Sequence, residues 1–168
     1  MLNISETTYF SSVTYGKLQM RSVIWKILSY IAQDPSSKYE VAIGADSMAK
    51  GKHETKFAVA IAIHREHSGA IYFYKKISEK NNNTLQQKLY KETELSLDVA
   101  DYMVNALGKR ILENGSNVHL VIHMDIGENG PTSKLIPELS GWVSAMGYDY
   151  KIKPDSYASS TIADRASR

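Results

Sequence analysis

The sequence contains no cysteine, which excludes disulfides, zinc–thiolate centres and thiol nucleophiles together. It has no apolar run near the ~18 residues needed to span a bilayer. The opening stretch MLNISETTYF carries neither a basic nor an apolar segment, so it does not read as a signal peptide. A charge excess of one sign is also missing: 20 Lys and Arg face 18 Asp and Glu, a net +2, which rules out a histone-like coat of positive charge but leaves room for a local basic patch. No internal repeat or low-complexity stretch occurs. What is present is a chain of 168 residues, 43% hydrophobic, enough for one sizeable core. The expectation is a single cytoplasmic domain over 1–168, with an N-terminal arm and helix at 1–38 and a core at 39–168, and with no membrane partner.

Residues 1–14 show no period and read as an irregular arm. From Lys17 to Ala32 apolar residues fall at helical spacing, and Asp34-Pro35-Ser36-Ser37 stops that helix. Tyr39–Asp46 reads as a strand, Lys56–His64 as a second, and Ala70–Ile77 as a third after a turn at Glu66–Gly69. In the second strand Phe57, Val59, Ile61 and Ile63 form a large face and Ala58, Ala60 and Ala62 a small one. Asn81–Thr84 opens a long helix to about Leu112, ended by Asn114-Gly115. A strand at Val118–Asp125, a Gly127–Pro131 loop, a helix at Lys134–Met146, a short strand at Tyr148–Lys153 and a last helix from Ala158 complete the order. Three strands joined by short turns predict an antiparallel meander, and two later strands alternating with helices predict parallel additions. The fold class is α/β, with a mixed five-stranded sheet flanked by helices. A doubly wound nucleotide-binding fold fits this order poorly.

Four acids stand out. Asp46 shares a face with Ala42 and Gly44 at the end of an apolar strand, where small residues admit a close helix. Such an acid is either exposed, opening a turn, or held by a cation. At ~100° per residue, Glu92 falls in the stripe of Leu89, Ser96, Val99, Met103 and Leu107, whereas Glu94 falls on the polar side. An acid in an apolar stripe needs a partner, either a metal or the nearby Lys88. Asp125 follows the apolar run VHLVIHM and repeats the placement of Asp46. In the last helix Asp164 follows small residues, and Asp155 competes with it from the loop after Pro154. His123 reads as a hydrogen-bonded core residue. The Gly127–Pro131 loop is too short and too acidic to be a phosphate-binding P-loop.

The order of these acids resembles the metal-binding set of ribonuclease-H-like proteins: Asp46-Ser47 on the first strand, Glu92 on the first crossover helix, Asp125 at the fourth strand's end and Ala163-Asp164 on the last helix. More specifically, IGADS, DIGENGPTSKLIPE and GWVSAMGYDYKIKPDSYASSTIADR resemble the YkuK-like family of bacterial proteins over nearly the whole chain. The resemblance implies a ribonuclease-H-like fold.

Crowded carboxylates repel unless a cation joins them, and hard Mg²⁺ or Mn²⁺ suit oxygen ligands. The expected activity is a metal-dependent nuclease acting on RNA, DNA or their hybrid through two ions. Asp46 would take the bridging role, Glu92 and Asp125 would each bind one ion, and Asp164 (or Asp155) would complete a shell. Ser47, Lys50, Lys52, Lys134 and Lys153 are candidates for holding substrate. The competing expectation is a catalytically silent module that binds nucleic acid or protein. The sequence does not address oligomeric state.

Overall fold

A computed structural model describes residues 2–111 and 117–168. The predicted end of the long helix, at Asn114-Gly115, lies outside the described residues. The chain forms strand β1 (Tyr9–Ser12), β2 (Gly16–Gln19), helix α1 (Met20–Ala32), β3 (Tyr39–Lys50), β4 (Glu54–Arg65), β5 (Ala70–Glu79), α2 (Leu85–Ile111) and β6 (Val118–His123). A single 3-10 turn (Ser133–Leu135) then leads into α3 (Ile136–Ala145), followed by β7 (Asp149–Lys151), a π-helix (Ala158–Ala163) and α4 (Asp164–Ser167).

The sheet has seven strands in the order β2-β1-β5-β4-β3-β6-β7. The meander β3–β4–β5 is antiparallel, and β6 and β7 add in parallel to it, as the strand spacing predicts. The sheet exceeds the expected five strands because the arm is ordered. β1 and β2 form a hairpin that pairs with β5 through Ser11 and Tyr74. Two strands of four residues are too short to display a period, so this segment has no legible pattern in the sequence. The hairpin also claims Lys17–Gln19, and the first helix therefore starts at Met20 rather than Lys17.

Both faces of the sheet are covered. Phe57, Val59, Ile61 and Ile63 pack with Val41, Ile43 and Ala45 against Val23 and Ile27 of α1 and Val99 and Met103 of α2, in the main core. The alanine face, Ala58, Ala60 and Ala62, meets Ala158, Ala163 and Ala166 of the C-terminal segment. Small residues bring backbones together here. A Cβ added at Gly44 would lie 2.6 Å from the Ser159 nitrogen, closer than any side chain tolerates. Helix α2 begins with a reciprocal cap: Thr84 Oγ1 accepts from Gln87 N at 3.2 Å and Gln87 Oε1 accepts from Thr84 N at 2.8 Å, which satisfies two otherwise orphaned donors. Pro137 sits in the first turn of α3, where its missing N–H costs nothing.

Candidate metal centre

Asp46 lies where the sheet opens. The parallel pairing of β3 with β6 ends at Gly44 and His123, while β3 continues alongside β4 and pairs Asp46 with Ala58. The strand therefore does not end at Asp46, as its sequence reading has it; only one of its two neighbours departs there. This leaves the carboxylate buried at 8% exposure beside the gap into which β6 delivers Asp125. The carboxyl groups of Asp46 and Asp125 interact directly, and Ser167 Oγ in α4 donates to Asp46 Oδ2 at 3.3 Å. Burial, followed by the charge and hydrogen bond of Asp125 and then the charge of Asp164, pushes Asp46 up from 3.8 to about 7. The Ser47 backbone opposes that rise.

Glu92 occupies the apolar stripe of α2 as its spacing predicts, with 7% of its surface exposed. Burial, more than any neighbour, raises its carboxyl well above the usual range, and the charges of Asp46 and Asp125 add to the rise. Its hydrogen-bond donor is Ser47 Oγ, 2.6 Å from Oε1. Lys88, the sequence candidate for that role, lowers the Glu92 carboxyl through its charge. Glu94, expected in water, is half-buried.

Asp125 accepts an ion pair from Lys153 Nζ at 3.0 Å, and Asp164 one from Arg168 at 2.9 Å. Asp155 is exposed in the loop after Pro154; of the two competitors, Asp164 is the one whose charge reaches Asp46. Asp46, Glu92 and Asp125 line a cleft of about 700 Å³. Its far wall is the loop from Gly127 to Thr132, and Lys88 and Lys153 border it. The other lysine candidates stand apart from the cleft lining. Lys50 Nζ donates to the Arg168 carbonyl at 2.7 Å, Lys52 is exposed in the β3–β4 turn and Lys134 is exposed on the 3-10 turn.

Among the described residues, no three His, Asp or Glu side chains are posed to close on one ion. Three of the acids instead have partners of their own: Ser47 donates to Glu92, Lys153 pairs with Asp125 and Arg168 with Asp164. The donor set is all oxygen, which suits a hard divalent cation; burial is the main cause of the raised Asp46 and Glu92 carboxyls, and the repulsion between neighbouring acids that adds to it is what such a cation would relieve. By donor chemistry alone the residues suit Mg²⁺ or Mn²⁺.

His123 is the hydrogen-bonded core residue that the sequence suggests, and its partners, which the sequence does not reveal, form a supporting network. His123 is fully buried; its Nδ1 accepts from Ala158 N at 3.1 Å and its Nε2 lies 3.2 Å from Glu40 Oε1. Because Nδ1 accepts, Nε2 carries the proton and donates to Glu40. Lys151 Nζ completes the group, 2.7 Å from Glu40 Oε2. The His123 hydrogen bond is the largest influence holding the Glu40 carboxyl down, to about 2. This network fastens the end of β6, which delivers Asp125, to the start of the π-helix, which delivers Asp164. Glu40 lies 83 residues from His123 and 111 from Lys151, and no local pattern joins them.

The family model for ribonuclease H-like proteins matches residues 22–168. The chain belongs to the ribonuclease H-like family. Within that family it is similar to the protein named "Uncharacterized protein YkuK" of Bacillus subtilis (strain 168), at 28% identity over 96% of this chain and 98% of the relative. A solved structure, the foamy viral protease-reverse transcriptase in complex with dsDNA, covers 80% of this chain and 72% of its own at 8% identity and a TM-score of 0.28, too distant to argue from. Among the described residues, no helix is long and apolar enough to cross a membrane.

Proposed function

We propose that this ribonuclease H-like chain hydrolyses phosphodiester bonds in nucleic acid with the help of divalent metal ions. The observation that carries the proposal is that Asp46 of β3, Glu92 of α2 and Asp125 past the β6 end line one cleft, with the charge of Asp164 from the C-terminal helix reaching Asp46. Family membership points to a role related to nucleic acid in general, and the acids lining the cleft support the narrower reading of phosphodiester chemistry.

Asp46, Glu92, Asp125 and Asp164 would hold Mg²⁺ or Mn²⁺, which when bound would activate a water and stabilise the leaving oxygen. The chain's own residues supply the rest. Ser47 fixes the Glu92 carboxylate. In the metal-free protein Asp46, raised to about 7, is about half protonated at neutral pH, so loading releases a proton and is favoured by rising pH. Lys153, freed from Asp125 on loading, would stand at the cleft wall available to a phosphate oxygen. The 127–132 loop closes the opposite wall.

The ion pairs already made by Asp125 and Asp164 favour a second reading, in which the same cleft binds nucleic acid or protein without cutting. Incubation with RNA, DNA and hybrid substrates, with and without Mn²⁺, separates the two. Cleavage that needs the metal and vanishes in Asp46→Asn supports the nuclease. Binding with no cleavage, unchanged by Asp46→Asn, supports the silent module.

A further inference from the structure

Outside the cleft lies a second hollow, of about 500 Å³, between β1 and the end of β5. Lys17, Lys75 and Lys76 line it with Tyr9, Tyr74 and Ser11, and no carboxylate among the described residues does. Among the described residues none of these lysines forms an ion pair with a carboxylate. Lys17 Nζ sits 4.4 Å above the Tyr9 ring, and Lys75 Nζ donates to the Tyr9 carbonyl at 3.3 Å. Three ammonium groups without counter-charges, beside tyrosine rings, form a surface that attracts a polyanion with flat bases.

Register ties this surface to the acids. Asp46 pairs with Ala58, and Ala58 pairs with Lys76. Directly paired residues share a sheet face, so Asp46 and Lys76 point the same way, two strands or about 10 Å apart. Tyr74 pairs with Ser11 and Ser11 with Lys17, which carries the same face onto the hairpin; Lys75, paired with Val59, leaves from the other face and meets the hollow at the Tyr9 carbonyl. The hairpin thus lies on the Asp46 side of the sheet, with the C-terminal helix packed on Ala58 and Ala60 between the lysines and the acids.

We infer that the β1–β5 hollow and its hairpin rim are the docking track for single-stranded nucleic acid, laying the backbone along Lys17, Lys75 and Lys76 toward the Asp46 cleft. The substrate class rests on the nuclease reading above; the binding surface is independent of it. Tyr9 is exposed, and an unpaired base stacking there would displace Lys17 from its ring, whereas a duplex hides its bases from stacking.

The test is fluorescence anisotropy of a labelled single-stranded RNA oligonucleotide and of its duplex, in EDTA over a series of salt concentrations. The wild type binds the single strand more tightly than the duplex. Lys17→Gln with Lys75→Gln and Lys76→Gln lowers the slope of log affinity against log salt by about 2, at ~0.7 per lost phosphate contact, and weakens binding at moderate salt by roughly tenfold or more. The double variant Lys17→Gln with Lys76→Gln keeps the Lys75 hydrogen bond and shows about two-thirds of that slope change. Tyr9→Ala weakens single-strand binding while leaving the salt slope unchanged. Unchanged affinity and slope in the lysine variants overturn the inference, as does a wild type that prefers the duplex or binds neither. Because EDTA removes catalysis, a protein that binds through these lysines yet never cuts in Mn²⁺ sustains the track and removes the nuclease reading.

Discussion

Replacing Asp46 with asparagine should stabilise the metal-free protein at alkaline pH and not at acid pH. A carboxyl raised from 3.8 to about 7 holds its proton more tightly folded than unfolded. Its effect on stability is therefore absent below pH ~4, grows as a loss while pH rises through about 7, and is constant above. A rise of that size corresponds to at most about 4 kcal/mol lost at pH 8. Asparagine carries no charge and removes this loss, but it weakens the Ser167 contact and the link to Asp125, at about 1 kcal/mol each. The net gain is about 2 kcal/mol, or about 4–8 °C in melting temperature for a chain of this size. Thermal melts of both proteins in EDTA at pH 5 and pH 8 measure it. The variant melts higher at pH 8, and the gap closes or reverses at pH 5. A variant that melts lower at pH 8, or a gap equal at both pH values, refutes the reasoning. Saturating Mn²⁺ should reverse the pH 8 order, since an ion bound to the folded wild type alone raises its stability.

Ser47→Ala removes the donor to buried Glu92 and should cost about 1.5–3 kcal/mol at pH 8 by urea unfolding, with the cost falling as pH is lowered, because burial makes the Glu92 carboxyl take up its proton more readily than a free one. Gly44→Ala drives a Cβ against the Ser159 and Ala158 backbone at 2.6 and 3.0 Å; it should destabilise by about 3 kcal/mol or more and, by lifting the helix that carries Asp164, reduce Mn²⁺ affinity at temperatures where the variant stays folded. Glu40→Gln should destabilise by roughly 1–2 kcal/mol at neutral pH, a figure reduced for partial exposure. Because Glu40 is held down from 4.5 to about 2, its stabilising effect is full above pH 4.5 and lost as pH falls through 2, and melts across that window check it.

The acids were legible where one element's pattern isolates them. Glu92 is visible because a 27-residue helix gives its stripe several turns of context, and an acid inside that stripe has no local excuse. Asp46 is visible because Ala42, Gly44 and the alanines of β4 announce a tightly packed face. The hairpin was illegible for the opposite reason: four-residue strands carry no period, and Phe10 and Ser12, the buried members of β1, look no different from loop residues. The run Ser47–Lys50 hid the true length of β3, whose pairing with Thr55, Lys56 and Phe57 is set by β4 and not by its own alternation. The C-terminal π-helix, ASSTIA, has too few large apolar residues to show any helical stripe. It is held against the sheet by small-residue contact and by the bond from Ala158 to His123, both tertiary in origin. π-Turns of this sort commonly mark functional positions, and here the π-helix immediately precedes Asp164.

The central claim is that these distant acids share a cation. The direct measurement is a crystal of the protein soaked in Mn²⁺ near pH 8 and recorded at a wavelength where manganese scatters anomalously. The account predicts an anomalous peak bonded to Asp46 and Asp125, with Glu92 or Asp164 completing its ligands and Lys153 displaced from Asp125. A map with no peak among these carboxylates, with Lys153 and Arg168 still in place, would contradict it.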